Sequence, residues 1–293
     1  MYPRPIDHYF APTDLDEALA LLSEYGGGAR VLSGGQSLIS QLKAREDTAK
    51  CIVDINRVPG LATVEFADGI LRIGTMVRHA ELIRNSVINE YCPILNEAAR
   101  YIGDPQVRNR GTIGGSLAFA DTASDLPVAV TALNAHVATV KMGGQGRSLC
   151  IEGFFLGPGK TALADDEMIR EIVISGLGRG CGGAYIKHSH VVNGIAIIST
   201  AVQLSLDESK KCTAASIVVG GLTSMPARAE KAEAHLLGSV LDAGAVAQAA
   251  ETAATEIEVM TDFRASAEYR RNLVGHYVTE MIRASVSRAG GVL

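Results

Sequence analysis

A strand-like segment that ends in two glycines and continues into a helical pattern is the feature that most restricts the fold of this chain. Arg30 to Leu32 has the character of a short strand, and Ser33-Gly34-Gly35 follows it directly. Leu38 to Leu42 then has apolar residues at helical spacing. Glycine tolerates positive φ and allows the backbone to approach another group closely. This order predicts a strand, a tight turn and a helix whose first N–H groups face the turn.

A second glycine pair, Gly114-Gly115, lies in the segment from Gly103 to Asp125. We predict this segment to be a dense loop. We call residues 32–38 the first glycine segment and residues 112–116 the second glycine segment. Unpaired N–H groups at the start of a helix bind anions, and the hydroxyls of Ser37 and Thr112 could add donors. One such segment alone is most simply a structural turn. Two together predict that they hold the two ends of one diphosphate.

The rest of the chain predicts an α+β protein with a boundary near residues 176–180. A helix begins after Thr13 or Asp14 and ends at Gly26. Three strands and then several helices between Pro226 and Arg288 follow the boundary. The three strands after the boundary are 183–187, 195–206 and 214–219. Before the boundary, the further predicted strands are 51–55, 70–73, 135–141, 147–151 and 171–174, and the further helices are 78–85, 94–101 and one from 126.

Composition and missing motifs exclude several classes of protein. The net charge of −5 leaves no basic stripe for nucleic acid. The five cysteines are far apart, which disfavours zinc, iron–sulfur and disulfide sites on this chain. No P-loop occurs, and the literal GxGxxG at residues 178–183 precedes a predicted strand and is interpreted as a linker. Residues 1–10 contain no apolar core of a signal peptide and no run approaches a membrane span, so we expect a cytoplasmic protein.

Two acidic residues follow the second glycine segment in an otherwise apolar stretch. Asp121 and Asp125 could accept hydrogen bonds from the hydroxyls of a sugar or a ribityl chain. The alternative for Asp125 is that it caps the helix that begins at Leu126.

Both glycine segments lie in motifs that resemble the medium subunit of molybdenum hydroxylases, the family of carbon monoxide dehydrogenase and xanthine dehydrogenase. Leu32 to Ile39 is similar to the family's first FAD loop, and Asp104 to Ser116 is similar to its second. Ser124 to Pro127, Tyr185 to Lys187 and Ser266 to Arg271 also fit the family's pattern. The resemblance covers essentially the whole chain.

The resemblance implies the vanillyl-alcohol-oxidase (PCMH)-type FAD-binding fold and a C-terminal domain with a three-stranded sheet and helices. Residues 1–177 would form the FAD-binding domain, with subdomains of about 1–57 and 58–177, and residues 178–293 the C-terminal domain. FAD would lie between the two subdomains.

The resemblance also implies a role for each FAD-binding residue. Leu32, Ser33, Gly34, Gly35, Gln36, Ser37 and Leu38 would hold the pyrophosphate and the adenosine side, and Thr112, Ile113, Gly114, Gly115 and Ser116 the pyrophosphate from the other side. Ile102 and Gly103 would contact the cofactor, Asp125 would bind the ribityl chain, and Ile169 would offer its backbone to the flavin. Lys187 would lie near the flavin ring, where a cation favours the reduced form. A solvated strand lysine is the alternative for Lys187.

One departure from the family's pattern follows Lys187. Relatives often have an arginine and then an aspartate with an aromatic residue there, whereas this chain has His188, His190, Gly194 and Ile195. We therefore expect an aromatic contact to the flavin to be missing. The spacing of His188 and His190 could suit a metal, but on a strand such a pair is more often structural.

The implied function is electron transfer within a complex. A large subunit with the molybdenum cofactor would hydroxylate the substrate, and a small subunit with two [2Fe–2S] clusters would pass electrons to this FAD, in a dimer of heterotrimers. The family acts on carbon monoxide, purines, aldehydes and N-heteroaromatic compounds, and we expect an N-heteroaromatic substrate. The alternatives are a stand-alone flavin oxidase or reductase of the same fold and a non-catalytic assembly subunit without FAD.

Overall fold

The computed structural model describes residues 5–192, 194–222 and 225–293, so the first four residues of the N-terminal segment discussed above lie outside the described residues. Near the N-terminus, a parallel sheet has the strand order β1-β3-β2. Its elements are β1 (His8–Phe10), α1 (Leu15–Tyr25), β2 (Ala29–Leu32), α2 (Leu38–Ala44) and β3 (Cys51–Asp54). Asp14 caps α1 by accepting a hydrogen bond from the Glu17 N–H. The predicted strand, glycine turn and helix at residues 29–44 are confirmed, whereas β1 was not predicted.

A second, antiparallel sheet forms the centre of the next subdomain, with the strand order β4-β5-β10-β6-β7. The strands are β4 (Val64–Ala67), β5 (Ile70–Gly74), β6 (His136–Lys141), β7 (Ser148–Cys150) and β10 (Glu167–Ile174), and the small hairpin of β8 (Phe155–Gly157) and β9 (Lys160–Thr161) lies apart. The helices between β5 and β6 are α3 (His79–Arg84), α4 (Ser86–Tyr91), α5 (Pro93–Arg100), α6 (Pro105–Arg110), α7 (Ile113–Phe119) and α8 (Asp125–Ala132).

The prediction of a loop over residues 103–125 is wrong, because this segment contains α6 and α7. Asp104 caps α6 by accepting from the Val107 N–H, and Pro105 occupies the first turn. Thr112 caps α7 by accepting from the Gly115 N–H at 3.1 Å. Glycines disfavour an isolated helix, but these caps and the burial of Ile113 and Leu117 outweigh that preference. The second glycine segment is therefore the first turn of a helix.

The C-terminal part is a sheet covered by helices, as predicted, but the sheet has four strands rather than three. Its antiparallel order is β11 (Cys181–His188), β12 (Ile198–Leu206), β13 (Cys212–Gly220) and β14 (Ala227–Arg228). The helices are α9 (Glu230–Ala234), α10 (Ala243–Glu256) and α11 (Ala267–Arg288). The two residues of β14 were missed because they were assigned to the start of the helical region. Arg228 is fixed there by ion pairs with Glu152 and Glu233.

One apolar core joins the C-terminal sheet to the helices of the middle subdomain. Tyr185 of β11, Ala201 of β12 and Val218 of β13 belong to the same buried cluster as Leu126 and Val128 of α8. Strand β11 also packs on α5. This shared core fixes the position of β11 relative to the start of α8, where Asp125 lies.

The five cysteines differ in their burial. Cys51, Cys92 and Cys212 are buried free thiols, while Cys150 is exposed and Cys181 is partly exposed. In the part of the chain that the structure describes, no helix has the length and apolar character needed to cross a membrane.

We expect Glu167 to make the stability of the fold depend on pH. Burial raises the pKa of this carboxyl, but hydrogen bonds from Arg147, Thr139 and the Ala164 N–H lower it to about 2. A lowered pKa stabilises the fold above the ordinary value of 4.5, and this contribution is lost as the pH falls towards about 2. Glu167→Gln should therefore lower the free energy of unfolding at pH 7, and the deficit should shrink over that acidic range.

Urea unfolding of the wild type and the variant at a series of pH values measures this deficit. The exposed Glu258 offers a matched control, since Glu258→Gln should leave the stability unchanged at every pH. A Glu167→Gln deficit that is independent of pH would show that the carboxylate charge contributes nothing.

Candidate functional site

The two glycine segments line one cavity of about 770 Å³. The first segment lies between β2 and α2, and the second begins α7. The cavity therefore lies between the parallel sheet and the middle subdomain. The predicted residues along it are Ser33, Gly34, Gly35, Gln36, Ser37, Leu38, Ile102, Thr112, Gly114, Gly115, Ser116 and Ile169.

The first glycine segment needs both glycines for its backbone conformation and packing. Gly35 has a φ of +74°, which a residue with a Cβ adopts only with strain. A Cβ on Gly34 would lie 2.4 Å from the Arg110 carbonyl oxygen. Gly34 therefore lets the chain before α2 touch the chain before α7.

The second glycine segment is packed as closely. A Cβ on Gly114 would lie 1.8 Å from Thr75 Oγ1, and one on Gly115 would lie 2.7 Å from Ser33 Oγ. Thr112 Oγ1 donates to Ser33 Oγ at 3.1 Å, so the two segments are joined by a hydrogen bond. A Cβ on Gly115 would also lie 2.8 Å from Thr112 Oγ1, so any side chain there would crowd two hydroxyls of the cavity wall. We call this position the Gly115 cradle.

A polar network behind the cavity supports the first glycine segment and was not predicted. Asn56 Nδ2 donates to the Ser33 carbonyl oxygen at 2.7 Å, and Asn56 Oδ1 accepts from Arg78 Nη2 at 2.7 Å. Arg78 also donates to the Arg110 carbonyl oxygen. This network ties the turn after β3, the residue that precedes α3 and the last residue of α6 to the contact between the glycine segments. No local sequence pattern marks it, because its members are brought together only by the fold.

His79 lines the large cavity, and the sequence analysis missed it. Burial lowers its pKa to about 4, and the charges of Arg78 and Arg108 act in the same direction. The imidazole is therefore neutral at pH 7. Among the described residues, its buried Nδ1 has no hydrogen-bond partner.

Two predicted residues, Leu32 and Ile113, line neither the large cavity nor the smaller cavity that adjoins it. Ile113 is fully buried in the core beneath α7, and Leu32 ends β2. Ile169 lies at a β-bulge in β10, where the register with β6 shifts between Ile169 and Glu171. A bulge changes the direction of the strand backbone, which suits the predicted backbone contact.

A smaller cavity of about 180 Å³ adjoins the large one and shares Ile102, Ser116 and Ser124 with it. Gly103, Asp121, Asp125 and Lys187 also line it. All predicted polar candidates beyond the glycine segments therefore meet at one end of the large cavity.

Lys187 and Asp125 form a buried ion pair in this smaller cavity, with Nζ and Oδ2 2.9 Å apart. Lys187 Nζ also donates to the Tyr101 carbonyl oxygen at 2.8 Å. Burial raises the pKa of Asp125, while the Lys187 charge and hydrogen bonds from Tyr185 and Lys187 oppose that rise. Lys187 is only 8% exposed, so the solvated-lysine alternative is wrong.

The alternative role of Asp125 as a helix cap is also wrong. The N-cap of α8 is Ser124, and Asp125 occupies the first helical position. Both carboxylate oxygens of Asp125 face β11, where they accept from Lys187 and Tyr185.

Two of the four residues that depart from the family pattern lie at the small cavity. Gly194 and Ile195 line it, and Ile195 is exposed. His188 bonds to the hydroxyls of Tyr269 and Tyr277, and His190 to the Arg264 carbonyl oxygen. Within the described ranges, no group of three or more potential ligands is placed to hold a metal ion. The structural interpretation of the two histidines fits these contacts.

This site has the features of a flavoprotein that binds a dinucleotide through its backbone. Residues 4–174 match the family described as the FAD binding domain in molybdopterin dehydrogenase. Residues 184–285 match the family described as the CO dehydrogenase flavoprotein C-terminal domain. The chain therefore belongs to the FAD-binding family of molybdopterin dehydrogenases, as the resemblance predicts, and its cofactor is FAD. The Gly115 cradle and the hydroxyl-lined wall fit this cofactor.

Relatives match this chain from end to end. The 6-hydroxypseudooxynicotine dehydrogenase complex subunit alpha of Paenarthrobacter nicotinovorans is 36% identical over 99% of this chain and 97% of its own length. The carbon monoxide dehydrogenase medium chain of Hydrogenophaga pseudoflava is 33% identical over 97% of this chain and 98% of its own. These relatives are dehydrogenase subunits, and the chain is an oxidoreductase flavoprotein.

A solved structure of the Hydrogenophaga pseudoflava carbon monoxide dehydrogenase, in a form that lacks the Mo-pyranopterin moiety, has a TM-score of 0.91 to this chain. It is 35% identical and covers 98% of this chain and 99% of its own. Quinoline 2-oxidoreductase from Pseudomonas putida 86 has a TM-score of 0.89 at 29% identity, over 99% of both chains. The predicted fold class is thus confirmed.

Gly115→Val should weaken FAD binding by at least about tenfold, which corresponds to about 1.4 kcal/mol. The added side chain would meet the hydroxyls of Ser33 and Thr112 and fill the cradle. Isothermal titration of FAD into flavin-free protein measures the change. Gly153→Val is a matched control, because a Cβ at that exposed glycine has open space. Full FAD affinity in the Gly115→Val protein would contradict the cradle assignment.

Proposed function

We propose that this chain is the electron-transfer FAD subunit of a heteromeric molybdenum-containing hydroxylase. It takes electrons from [2Fe–2S] clusters of a small partner subunit and passes them to a terminal acceptor. A large partner subunit with the molybdenum cofactor binds and hydroxylates the substrate, which we expect to be N-heteroaromatic. The assembly is a dimer of heterotrimers, and its location is cytoplasmic.

One observation carries this proposal. The two glycine segments and the Lys187–Asp125 pair line adjoining cavities in a chain that matches medium subunits over nearly its whole length. The relatives named above are parts of dehydrogenase complexes, which supports partner subunits for this chain as well.

Each part of the site has a proposed task. The first and second glycine segments bind the FAD pyrophosphate with backbone N–H groups and the hydroxyls of Ser33, Ser37, Thr112 and Ser116. Ile102, Gly103 and the Ile169 backbone contact the flavin end, and Asp125 and Lys187 set the charge beside it. Leu32 and Ile113 support the segments from behind, since they do not line the cavity. Bound FAD supplies the link between one-electron and two-electron chemistry.

The proposed domain division is 1–177, with subdomains 1–57 and 58–177, and 178–293. The two family matches, which end at residue 174 and begin at residue 184, support a boundary between them. Because Lys187 and Tyr185 come from β11, the C-terminal domain contributes side chains to the site at the flavin end.

The proposal predicts that the flavin is reduced through the partner's clusters. In the purified complex, a limiting amount of dithionite should reduce the clusters first, and stopped-flow absorbance should then show cluster reoxidation at the rate of flavin reduction. A complex assembled with the Gly115→Val chain should retain reduced clusters and lose electron transfer to an added acceptor dye.

The alternatives give different results in the same preparation. A stand-alone oxidase or reductase would have its flavin reduced by substrate without the partner subunits. An assembly subunit without FAD would be colourless, and the Gly115→Val change would leave electron transfer to the dye unaltered. Either result would contradict the proposed function.

A further inference from the structure

The Lys187–Asp125 pair has a third member, Tyr185, which binds the same carboxylate. The Tyr185 hydroxyl donates to Asp125 Oδ1 at 2.6 Å, while Lys187 donates to Oδ2 at 2.9 Å. Each oxygen of the carboxylate thus has its own donor. Tyr185, Asp125 and Lys187 are 4%, 5% and 8% exposed, so both hydrogen bonds are shielded from water.

The sheet places these groups together. Tyr185 and Lys187 are two residues apart on β11, so both side chains leave the same face of the strand. The Tyr185 N–H donates to Glu97 Oε2 at 2.8 Å, which anchors the strand to α5. The Tyr185 ring packs beside Tyr101, with centroids 5.9 Å apart, and Lys187 bonds to the Tyr101 carbonyl oxygen.

The direction of the Tyr185 hydrogen bond is fixed by chemistry. An ionised carboxylate only accepts hydrogen bonds, so the single phenol proton points to Asp125. Burial, together with the Asp125 charge, holds the pKa of Tyr185 well above its usual value, so it stays a donor at physiological pH. A buried carboxylate that loses a donor is driven towards its neutral form.

We propose that Tyr185 is a positioning residue that keeps Asp125 ionised against Lys187 and thereby sets the reduction potential of the bound FAD. This inference rests on the proposed function in one respect, since it needs the flavin end of FAD at the small cavity. The ammonium of Lys187 favours the more negative, reduced flavin, and the Asp125 carboxylate offsets part of that effect. By keeping the Asp125 carboxylate ionised, Tyr185 determines how much of the Lys187 effect on the potential is offset.

Other charged and titratable groups near the pair are unchanged by the substitutions that test it. Glu97 of α5 bonds to the Tyr185 N–H and pairs with Arg288 of α11. Asp121 lines the same cavity, and the Tyr101 hydroxyl lies within the field of Glu97, Asp125 and Glu280. Their constant contribution cancels when variants are compared with the wild type.

The experiment is a reductive titration of the FAD-loaded full-length chain against a reference dye, which gives the flavin midpoint potential. We expect Lys187→Met to lower the potential, because it removes the cation. Asp125→Asn should raise it, because the ammonium is then uncompensated. Tyr185→Phe should raise it in the same direction, by a tenfold shift of the two-electron equilibrium, or about 30 mV.

A double variant separates positioning from a direct effect. If Tyr185 acts through Asp125, adding Tyr185→Phe to Asp125→Asn should change the potential no further. The matched control is Tyr91→Phe, which should leave the potential at the wild-type value. Tyr91 lies on α4 and stacks on Phe66.

Three results would overturn the inference. They are an unchanged or lowered potential in Tyr185→Phe, additive shifts in the double variant, and loss of FAD from Tyr185→Phe, which would make Tyr185 a binding residue instead. Failure of the proposed function is distinct, because it would appear in the complex as clusters that do not reduce the flavin. The titration of the chain alone involves no clusters.

Discussion

The buried ion pair between Lys187 and Asp125 is the interaction on which the architecture of the site depends. It joins a strand of the C-terminal sheet to the first turn of α8 in the middle subdomain. Two charges removed from water are costly unless each is paired and hydrogen-bonded. Here the pair has two further partners, Tyr185 and the Tyr101 carbonyl. These contacts compensate for the cost of burial only when β11 is packed against the start of α8. The packing of the C-terminal sheet on the middle subdomain is therefore coupled to the charge beside the small cavity.

At the other end of the large cavity, close backbone packing holds the two glycine segments together. Gly34 and Gly114 are needed because a Cβ at either would collide with Arg110 or Thr75. A Cβ on Gly115 would also be too close to its neighbours, but these are two side-chain hydroxyls, Ser33 Oγ at 2.7 Å and Thr112 Oγ1 at 2.8 Å, rather than backbone. The glycines were interpreted from the sequence as either structural turns or ligand cradles. The packing of Gly34 and Gly114 fits the structural interpretation, and the ligand-cradle interpretation stays a prediction, which Gly115→Val tests.

Much of the fold could be predicted from local patterns, and the failures have physical reasons. The helix after Asp14 and the strand before Gly34 were predicted because capping and apolar spacing are local properties. Helices α6 and α7 were missed because Gly111, Gly114 and Gly115 disfavour helices locally, while Thr112 capping and core burial favour them. The short strand β1 was missed because His8 to Phe10 becomes a strand only by pairing with β3.

The residues of the site also divide into those that local sequence patterns predict and those that only the fold brings together. The residues of the glycine segments are close in sequence and carry a recognisable motif, so they could be proposed from sequence. His79, Asn56 and Tyr185 could not, because each acquires its surroundings from segments distant along the chain. The ion pair of Lys187 with Asp125 was not predicted either, although both residues were, since 62 positions separate them.

The walls of the large cavity come from residues as far apart as Leu22 and Ile169, and the smaller cavity is completed still later in the chain, by Lys187, Gly194 and Ile195. During synthesis, more than half of the polypeptide must therefore leave the ribosome before the pocket exists. We therefore expect cofactor loading to be a late event, since a nascent chain that stalls within the middle subdomain lacks part of these walls.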